Sequence, residues 1–167
     1  MIRKHKKYSR PRKPFDGPRI TEENEIRKEY GLKNKKEIWR AEALVGKMRL
    51  GAKRLTTASI DEQEKFIETL KRRGLNVSTI AEVLGLTKKD LMNRRLQTIV
   101  SRKFAVPMKK SRQLITHKKV SVKGSVVNIP SYIVFADEED KIKMAAPKEK
   151  VNKKVESNEV AGELTNE

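Results

Sequence analysis

Apolar residues recur at helical spacing through the middle of the chain and at strand spacing near its end. In residues 34–55, Ile38, Ala41, Val45, Met48, Ala52 and Leu55 follow at three- and four-residue steps, which predicts one long amphipathic helix. Asn34 with Glu37 has the spacing of a capping box at its start. Ahead of it, residues 21–30 predict a helix with Glu22, Glu23 and Glu25 in its first turn and Gly31 as its C-terminal stop. Residues 59–73 predict another, with Ser59 and Glu62 as the box, Ile60, Ile67 and Leu70 as the stripe, and Gly74 as the end. Thr79 with Glu82, and Thr87 with Asp90, open two further short helices. The second is expected to run from Lys88 through Arg94 and Arg95 towards Lys103.

The period changes after Pro107. Residues 108–116 predict a helix with Leu114 and Ile115 turned inward. Val120-Ser121-Val122 then alternates at period two, Lys123-Gly124 fits a tight turn, and Val126, Val127 and Ile129 continue the run. Pro130-Ser131 breaks it, and Tyr132-Ile133-Val134-Phe135 resumes it. The expected fold is α+β and mostly helical: a helical N-terminal part, then a compact helix–helix–β-hairpin module. The expected boundaries are a basic arm over 1–20, a helical domain over 21–93, the module over 94–136, and a charged, partly disordered tail over 137–167.

Charge narrows the partner. The chain has 167 residues, with 40 Lys+Arg against 22 Asp+Glu, and a formal charge of +18. Residues 91–135 hold ten of those cations and no carboxylate. Folded surfaces ordinarily mix both signs. A foldable segment with only cations at its polar positions suits phosphate backbones, which bind by charge neutralisation and counterion release. No lipidation pattern accompanies the charge: Met1 is followed by Ile2, and there is no cysteine to acylate. The absence of cysteine also excludes disulfides, thiolate metal sites and a cysteine nucleophile. The longest apolar run, Tyr132 to Ala136, is far short of a membrane span. No apolar stretch follows the basic N-terminus as a secretory signal requires. Gly46 and Gly51 are a near miss to a phosphate-binding loop, but they lie inside a helical pattern and lack the Gly-Lys-Ser/Thr order. No catalytic constellation and no cofactor or metal site is expected, and the chain is not read as an enzyme.

Two nucleic-acid readings compete. Residues 77–96 fit a helix-turn-helix: Ala81 where two helices touch, Gly85 at the turn, and Lys88, Lys89, Asn93 and Arg94 along a recognition helix. This DNA-binding regulator leaves most of the cations of 91–135 without a role. The other reading is a rigid cationic surface over residues 94–134 that binds folded RNA by shape and phosphate contact. Aromatics are only 5% of the chain, which argues against a base-stacking platform.

The motifs Arg94-Arg95-Leu96-Gln97-Thr98-Ile99-Val100, Ser111-Arg112-Gln113-Leu114-Ile115-Thr116-His117, Val120-Ser121-Val122-Lys123-Gly124 and Ile129-Pro130-Ser131-Tyr132 closely resemble the RNA-binding domain of the small-subunit ribosomal protein S-four family. Residues 34–42 resemble the early helix of its archaeal and eukaryotic-type members. The resemblance covers about residues 6–142 and implies a structural constituent of the small ribosomal subunit. It implies a primary binder of small-subunit ribosomal RNA that nucleates assembly of the subunit body. It places that protein in the cytoplasm, on the ribosome, beside the third and fifth small-subunit proteins. There, near the channel through which messenger RNA enters, it contributes to accuracy, with messenger RNA as a further candidate contact. It implies no membrane partner and no homo-oligomer. Two positions depart from the family's usual pattern. Lys118 stands where a glycine is usual, and Lys123 where an asparagine is usual, so both bear on the turns that flank the first strand.

The expected RNA contacts fall in three groups. The arm supplies Arg3, Lys4, Lys6, Lys7, Arg10, Arg12 and Lys13. The long helix supplies Lys35, Lys36, Arg40, Lys47, Arg49, Lys53 and Arg54. The module supplies Arg94, Arg95, Arg102, Lys103, Lys109, Lys110, Arg112, Gln113, His117, Lys118, Lys119 and Lys123. Leu96, Ile99, Val100, Leu114, Ile115, Val120, Val122 and Ile133 are assigned to the core, and Trp39 to packing.

Overall fold

The computed structural model describes residues 6–144; Arg3, Lys4 and residues 145–167 lie outside the described residues. The element order is α1 (Gly17–Glu29), α2 (Lys36–Leu55), α3 (Ile60–Arg72), α4 (Ile80–Gly85), α5 (Lys88–Asn93), α6 (Leu96–Lys103) and α7 (Met108–Thr116). Strands β1 (Val120–Val122), β2 (Ser125–Val126) and β3 (Ile142–Met144) follow, with a single 3-10 turn at Ala136–Glu138. The architecture is α+β and mostly helical, as the periodicity predicts.

Two apolar clusters organise the chain. The first is built on α2. Its stripe of Ile38, Ala41, Val45, Met48 and Ala52 is buried, and it packs with Ile26, Leu70, Val83 and Met92. The second joins Leu96, Ile99 and Val100 of α6 to Ile115 of α7, Val120 and Val122 of β1, Val134, and Ile142 of β3. The chain crosses from one cluster to the other between Met92 and Leu96. Each buried Leu, Ile or Val contributes on the order of 1.5–3 kcal/mol.

The crossing corrects the sequence reading. No helix runs from Lys88 to Lys103: α5 ends at Asn93, Arg94 caps it, and α6 starts at Leu96. Arg95 between them is extended. It forms a bridge with Ile133. The N–H groups of Leu96 and Gln97 donate to the carbonyls of Tyr132 and Pro130 at 2.7 and 3.3 Å. The N–H of Val134 donates to the carbonyl of Arg94 at 3.0 Å. Residues 130–134 therefore satisfy the otherwise orphaned start of α6 and do not extend the hairpin. The third strand of the sheet comes instead from residues 142–144, inside the segment read as a charged tail. The strand order is β2-β1-β3, both pairs antiparallel.

Local signals fare unevenly. Gly31 and Gly74 hold positive φ after α1 and α3, as their reading as helix stops requires. Thr87 donates its backbone N–H and its hydroxyl to Asp90 Oδ2, each at 2.8 Å. Thr79 accepts from the N–H of Glu82, whose carboxylate reaches the N–H of Ser78. Helix α1 starts earlier than the acidic run suggests, at Gly17-Pro18, with a proline in its first turn. Ser59 occupies the N-cap of α3 without a side-chain bond. The Asn34–Glu37 box does not form either.

Glu37 has other work. Its Oε1 accepts from Arg112 at 3.0 Å, and its Oε2 accepts from the guanidiniums of Arg112 and Arg95. Arg95 is only 6% exposed. Burial alone would raise the pKa of Glu37, but the hydrogen bonds and charges of Arg112 and Arg95 outweigh it and hold the carboxyl below its ordinary value. One carboxylate from α2 in the first cluster thus grips two cations of the second. Gln97, buried on α6, adds a second tie, donating to the carbonyls of Tyr30 and Met108 at 3.2 and 3.0 Å.

The turns around β1 show the backbone that the two departures from the family pattern call for. Lys118, after α7, has φ +58°. Lys123 and Gly124 have φ +50° and +83°. They join strands in the register Ser121–Val126 and Val122–Ser125, a two-residue hairpin loop with positive φ at both central positions. Both lysines occupy a region where a side chain costs roughly 1–2 kcal/mol.

Replacing Glu37 by Gln leaves Arg95 buried without its counter-charge and should cost about 2–3 kcal/mol in urea unfolding near neutral pH. Because the folded pKa of Glu37 is depressed, its contribution is present above the ordinary carboxylate value and is lost as pH falls through the folded value. The wild-type advantage over Glu37→Gln should therefore shrink on acidification; an advantage independent of pH would remove the ion pair as its source. Replacing Lys118 by Gly should relieve the left-handed backbone and raise stability by about 0.5–1 kcal/mol. A loss of stability in the same melt would show that the turn is unstrained.

Candidate nucleic-acid interface

Helix α7 and the turn that follows it present a group of exposed cations held on regular structure. Ser111 and Ile115 face the second cluster and are buried. Lys109, Lys110, Gln113 and His117 lie exposed on the other side. His117 is the C-terminal cap position of α7. Lys118 and Lys119, exposed, carry the same surface through the turn into β1. The left-handed backbone at Lys118 lets its N–H donate to Ile115 and that of Lys119 to Leu114, each at 3.0 Å, so the turn is closed by backbone bonds and both side chains stay out. Among the described residues, Lys109, Lys110, Lys118 and Lys119 make no salt bridge with a carboxylate.

Other cations of the module are engaged within the chain. Arg94 donates to Glu139 at 2.7 Å and to the carbonyl of Val134 at 3.2 Å. Arg102 donates to Asn93 Oδ1 at 2.8 Å, and Lys103 caps the carbonyls of Glu139 and Asp140 at 2.9 and 3.0 Å. Lys123 pairs with Glu138 at 3.2 Å. Burial would raise the carboxyl of Glu138, yet bonds from Tyr132, the N–H of Phe135 and Lys123 hold it below its usual value. Arg95 stands apart from the other expected contacts, at 6% exposure. It is buried against Glu37 and Met92. The first structural duty of Arg112 is likewise to Glu37, although its side chain keeps 25% exposure.

On α2, Lys36, Arg40, Lys47, Lys53 and Arg54 are exposed. Lys35 pairs with Glu23 at 3.2 Å, and Arg49 donates to the carbonyl of Leu86. Glu23 is itself buried and also receives Arg19 at 2.6 Å and the indole of Trp39 at 3.0 Å. Those bonds outweigh the desolvation that would otherwise raise its pKa. Trp39 is thus a packing residue with a bonded indole, as expected. In the arm, Lys6, Lys7, Arg10, Arg12 and Lys13 are exposed. Tyr8 lies 6.1 Å from the Trp39 ring, with Arg40 6.0 Å from the Tyr8 centroid, so part of the arm is docked against α2.

Exposed lysines outside the expected contacts include Lys33, Lys141 and Lys143. The alternation Lys141-Ile142-Lys143-Met144 was the available signal for the last two. Ile142 is buried and Lys143 faces out, the period-two pattern of a strand.

The helix-turn-helix geometry does not form. Helices α4 and α5 have six residues each, and Ala81, placed by that template at a helix contact, is exposed. Lys88 and Lys89 pair with Glu22 and Glu29 at 2.8 and 3.9 Å. Asn93 accepts from Tyr30 and Arg102. The polar side of the supposed recognition helix is therefore occupied by the chain's own residues.

Comparison with known proteins agrees with this geometry. The family model of the S4 domain matches residues 94–140. Over 148 residues the chain is 47% identical to small ribosomal subunit protein uS4 of Thermoplasma acidophilum, covering 83% of this chain and 74% of that protein. It is 40% identical to the uS4 protein of Nanoarchaeum equitans, covering 95% and 98% of the two chains. Against that of Korarchaeum cryptofilum the identity is 42%, with 87% and 92% covered.

Proposed function

The chain belongs to the uS4 family of small ribosomal subunit proteins, and we propose that within the small subunit it is a primary binder of ribosomal RNA. Its role is that of a structural component of the cytoplasmic ribosome, held there by RNA and by neighbouring ribosomal proteins. The observation that carries the RNA reading is the division among its cations. Those near the two clusters are neutralised by carboxylates and carbonyls, while Lys109, Lys110, Lys118 and Lys119 are left exposed on one rigid face. A face held by helix and strand presents fixed charges to a phosphate backbone, which suits recognition of folded RNA by shape. The exposed lysines of α2 and the arm extend that surface.

The same architecture supports the reading that the chain binds early in assembly. The α7 face is supported by the chain's own core, through buried Ser111 and Ile115. The further reading is that this chain nucleates the subunit body and lies beside the third and fifth small-subunit proteins. There it contributes to accuracy near the channel that admits messenger RNA.

Replacing Lys109, Lys110 and Lys119 together by Ala should leave the melting temperature unchanged, since all three are exposed. Binding to small-subunit ribosomal RNA, measured across a salt series, should weaken. The slope of log K against log salt should flatten by about 0.9 for each phosphate that is no longer neutralised on duplex-like sites. An unchanged affinity and slope would remove α7 from the interface.

A further inference from the structure

The chain leaves its described part beside its own cationic face. Strand β3 pairs antiparallel with β1 in a register that sets Met144 opposite Val120. Val120 follows directly on Lys118 and Lys119, both exposed. Met144 is the last described residue, so the sequence after it starts next to those lysines and the C-terminal end of α7. That sequence changes sign part-way. Residues 145–154 hold Lys148, Lys150, Lys153 and Lys154 against Glu149. Residues 155–167 hold Glu156, Glu159, Glu163 and Glu167 and no cation. A chain spans at most about 3.3–3.6 Å per residue, so the link from Met144 to Val155 reaches up to roughly 35–40 Å. Helix α7, of nine residues, is only about 13 Å long. The whole face lies within reach of the acidic end.

Charge supplies the reason for contact. Elsewhere the chain sets carboxylates against its cations, as Glu37 against Arg112 and Glu138 against Lys123. Lys109, Lys110, Lys118 and Lys119 have no such partner among the described residues, and self-repulsion in a chain of charge +18 favours one. We propose that, in the absence of RNA, the acidic end over residues 155–167 folds back on the face formed by α7 and the turn at Lys118-Lys119, and that RNA displaces it. This regulation rests on the RNA reading of that face and deepens it. Displacing the segment costs the same for every RNA. It therefore lowers all affinities by one factor, which suppresses weak, sequence-independent binding and leaves the tight site occupied.

The contact is tested on the full chain. The chain has no cysteine, so Ser157→Cys gives one attachment point for a nitroxide. In NMR spectra at low salt the label should broaden the amides of residues 109–119 more than those of Lys47, Lys53 and Arg54 on α2. The broadening should vanish near 1 M salt, where the Debye length falls to about 3 Å, and in the variant with Lys109, Lys110 and Lys119 replaced by Ala. Broadening that is absent, or equal over α7 and α2, would overturn the contact. Competition is tested by replacing Glu156, Glu159, Glu163 and Glu167 together by Gln. If the face is free about one tenth to one third of the time, small-subunit ribosomal RNA should bind this quadruple variant roughly three- to tenfold more tightly. Added to the Lys-to-Ala triple variant, the same four replacements should give no further gain. An equal gain in both backgrounds would mean a general effect of net charge and would overturn the masking. So would localised broadening with RNA affinity unchanged in the quadruple variant. Normal RNA binding by the triple variant would instead overturn the RNA reading of α7, while the label still reports the contact on its own.

Discussion

Glu37 holds two guanidiniums that belong to another part of the chain, and one of them is almost fully removed from water. A cation buried to that degree is unfavourable by several kcal/mol unless a partner replaces its hydration. That constraint fixes much else. Arg95 lies at the crossing point, between Met92 at the edge of one apolar cluster and Leu96 at the edge of the other. Its backbone is extended there and is paired with Ile133. Holding its side chain therefore sets where α6 begins. Arg112, gripped by the same carboxylate, sets the rotation of α7 about its own axis. The outward direction of Lys109 and Lys110 follows, because residues three and two positions from Arg112 on a helix cannot turn independently of it.

A chain with charge +18 repels itself, and its carboxylates are few enough that their placement matters. Glu23, Glu37, Glu138 and Glu139 each join elements that are distant in sequence or close a joint between them. Glu23 collects Arg19, Lys35 and Trp39 at the start of α2. Glu139 receives Arg94, which lies against Gly74 so closely that a side chain at 74 would collide with it. Glu138 ties Tyr132 to Lys123 across the module. Neutralisation is thus concentrated at the joints, and the positive field is left on the outer sides of α2, α7 and β3. The same distribution stabilises the fold and leaves an exposed cationic surface.

The features legible in the sequence were those decided within a few residues. The α2 stripe, the limits of α7, the glycine stops at 31 and 74, the Thr87–Asp90 cap and the two-residue turn at 123–124 all depend on local spacing. The misread features depend on partners far along the chain. Asn34 and Glu37 have capping-box spacing, but the carboxylate meets stronger donors 58 and 75 residues away. Residues 132–135 alternate like a hairpin strand, yet Val134 bonds to Arg94, 40 residues back, because α6 needs acceptors at its start. Arg95 read as a surface cation for the same reason: nothing in its own neighbourhood in sequence announces burial. The cationic face of α7 was readable because its helix period and its charges are both local.

Backbone strain separates residues kept for the fold from residues kept for the surface. Three non-glycine residues among those described have positive φ: Ala105, Lys118 and Lys123. Ala105 is the least bulky of the three. The other two are long lysines in exposed turns at either end of β1, where glycine or asparagine would sit with less strain. Neither lysine contributes to an apolar cluster, so packing does not compensate for the backbone. Lys123 returns part of the cost through Glu138, which stands beneath the turn. Lys118 has no such partner among the described residues, and its side chain lies open beside Lys119 and His117. Strain tolerated at an exposed cation, on the face that already carries Lys109 and Lys110, is in keeping with the polyanion reading of that face proposed above. A turn optimised for stability alone would have dispensed with that lysine.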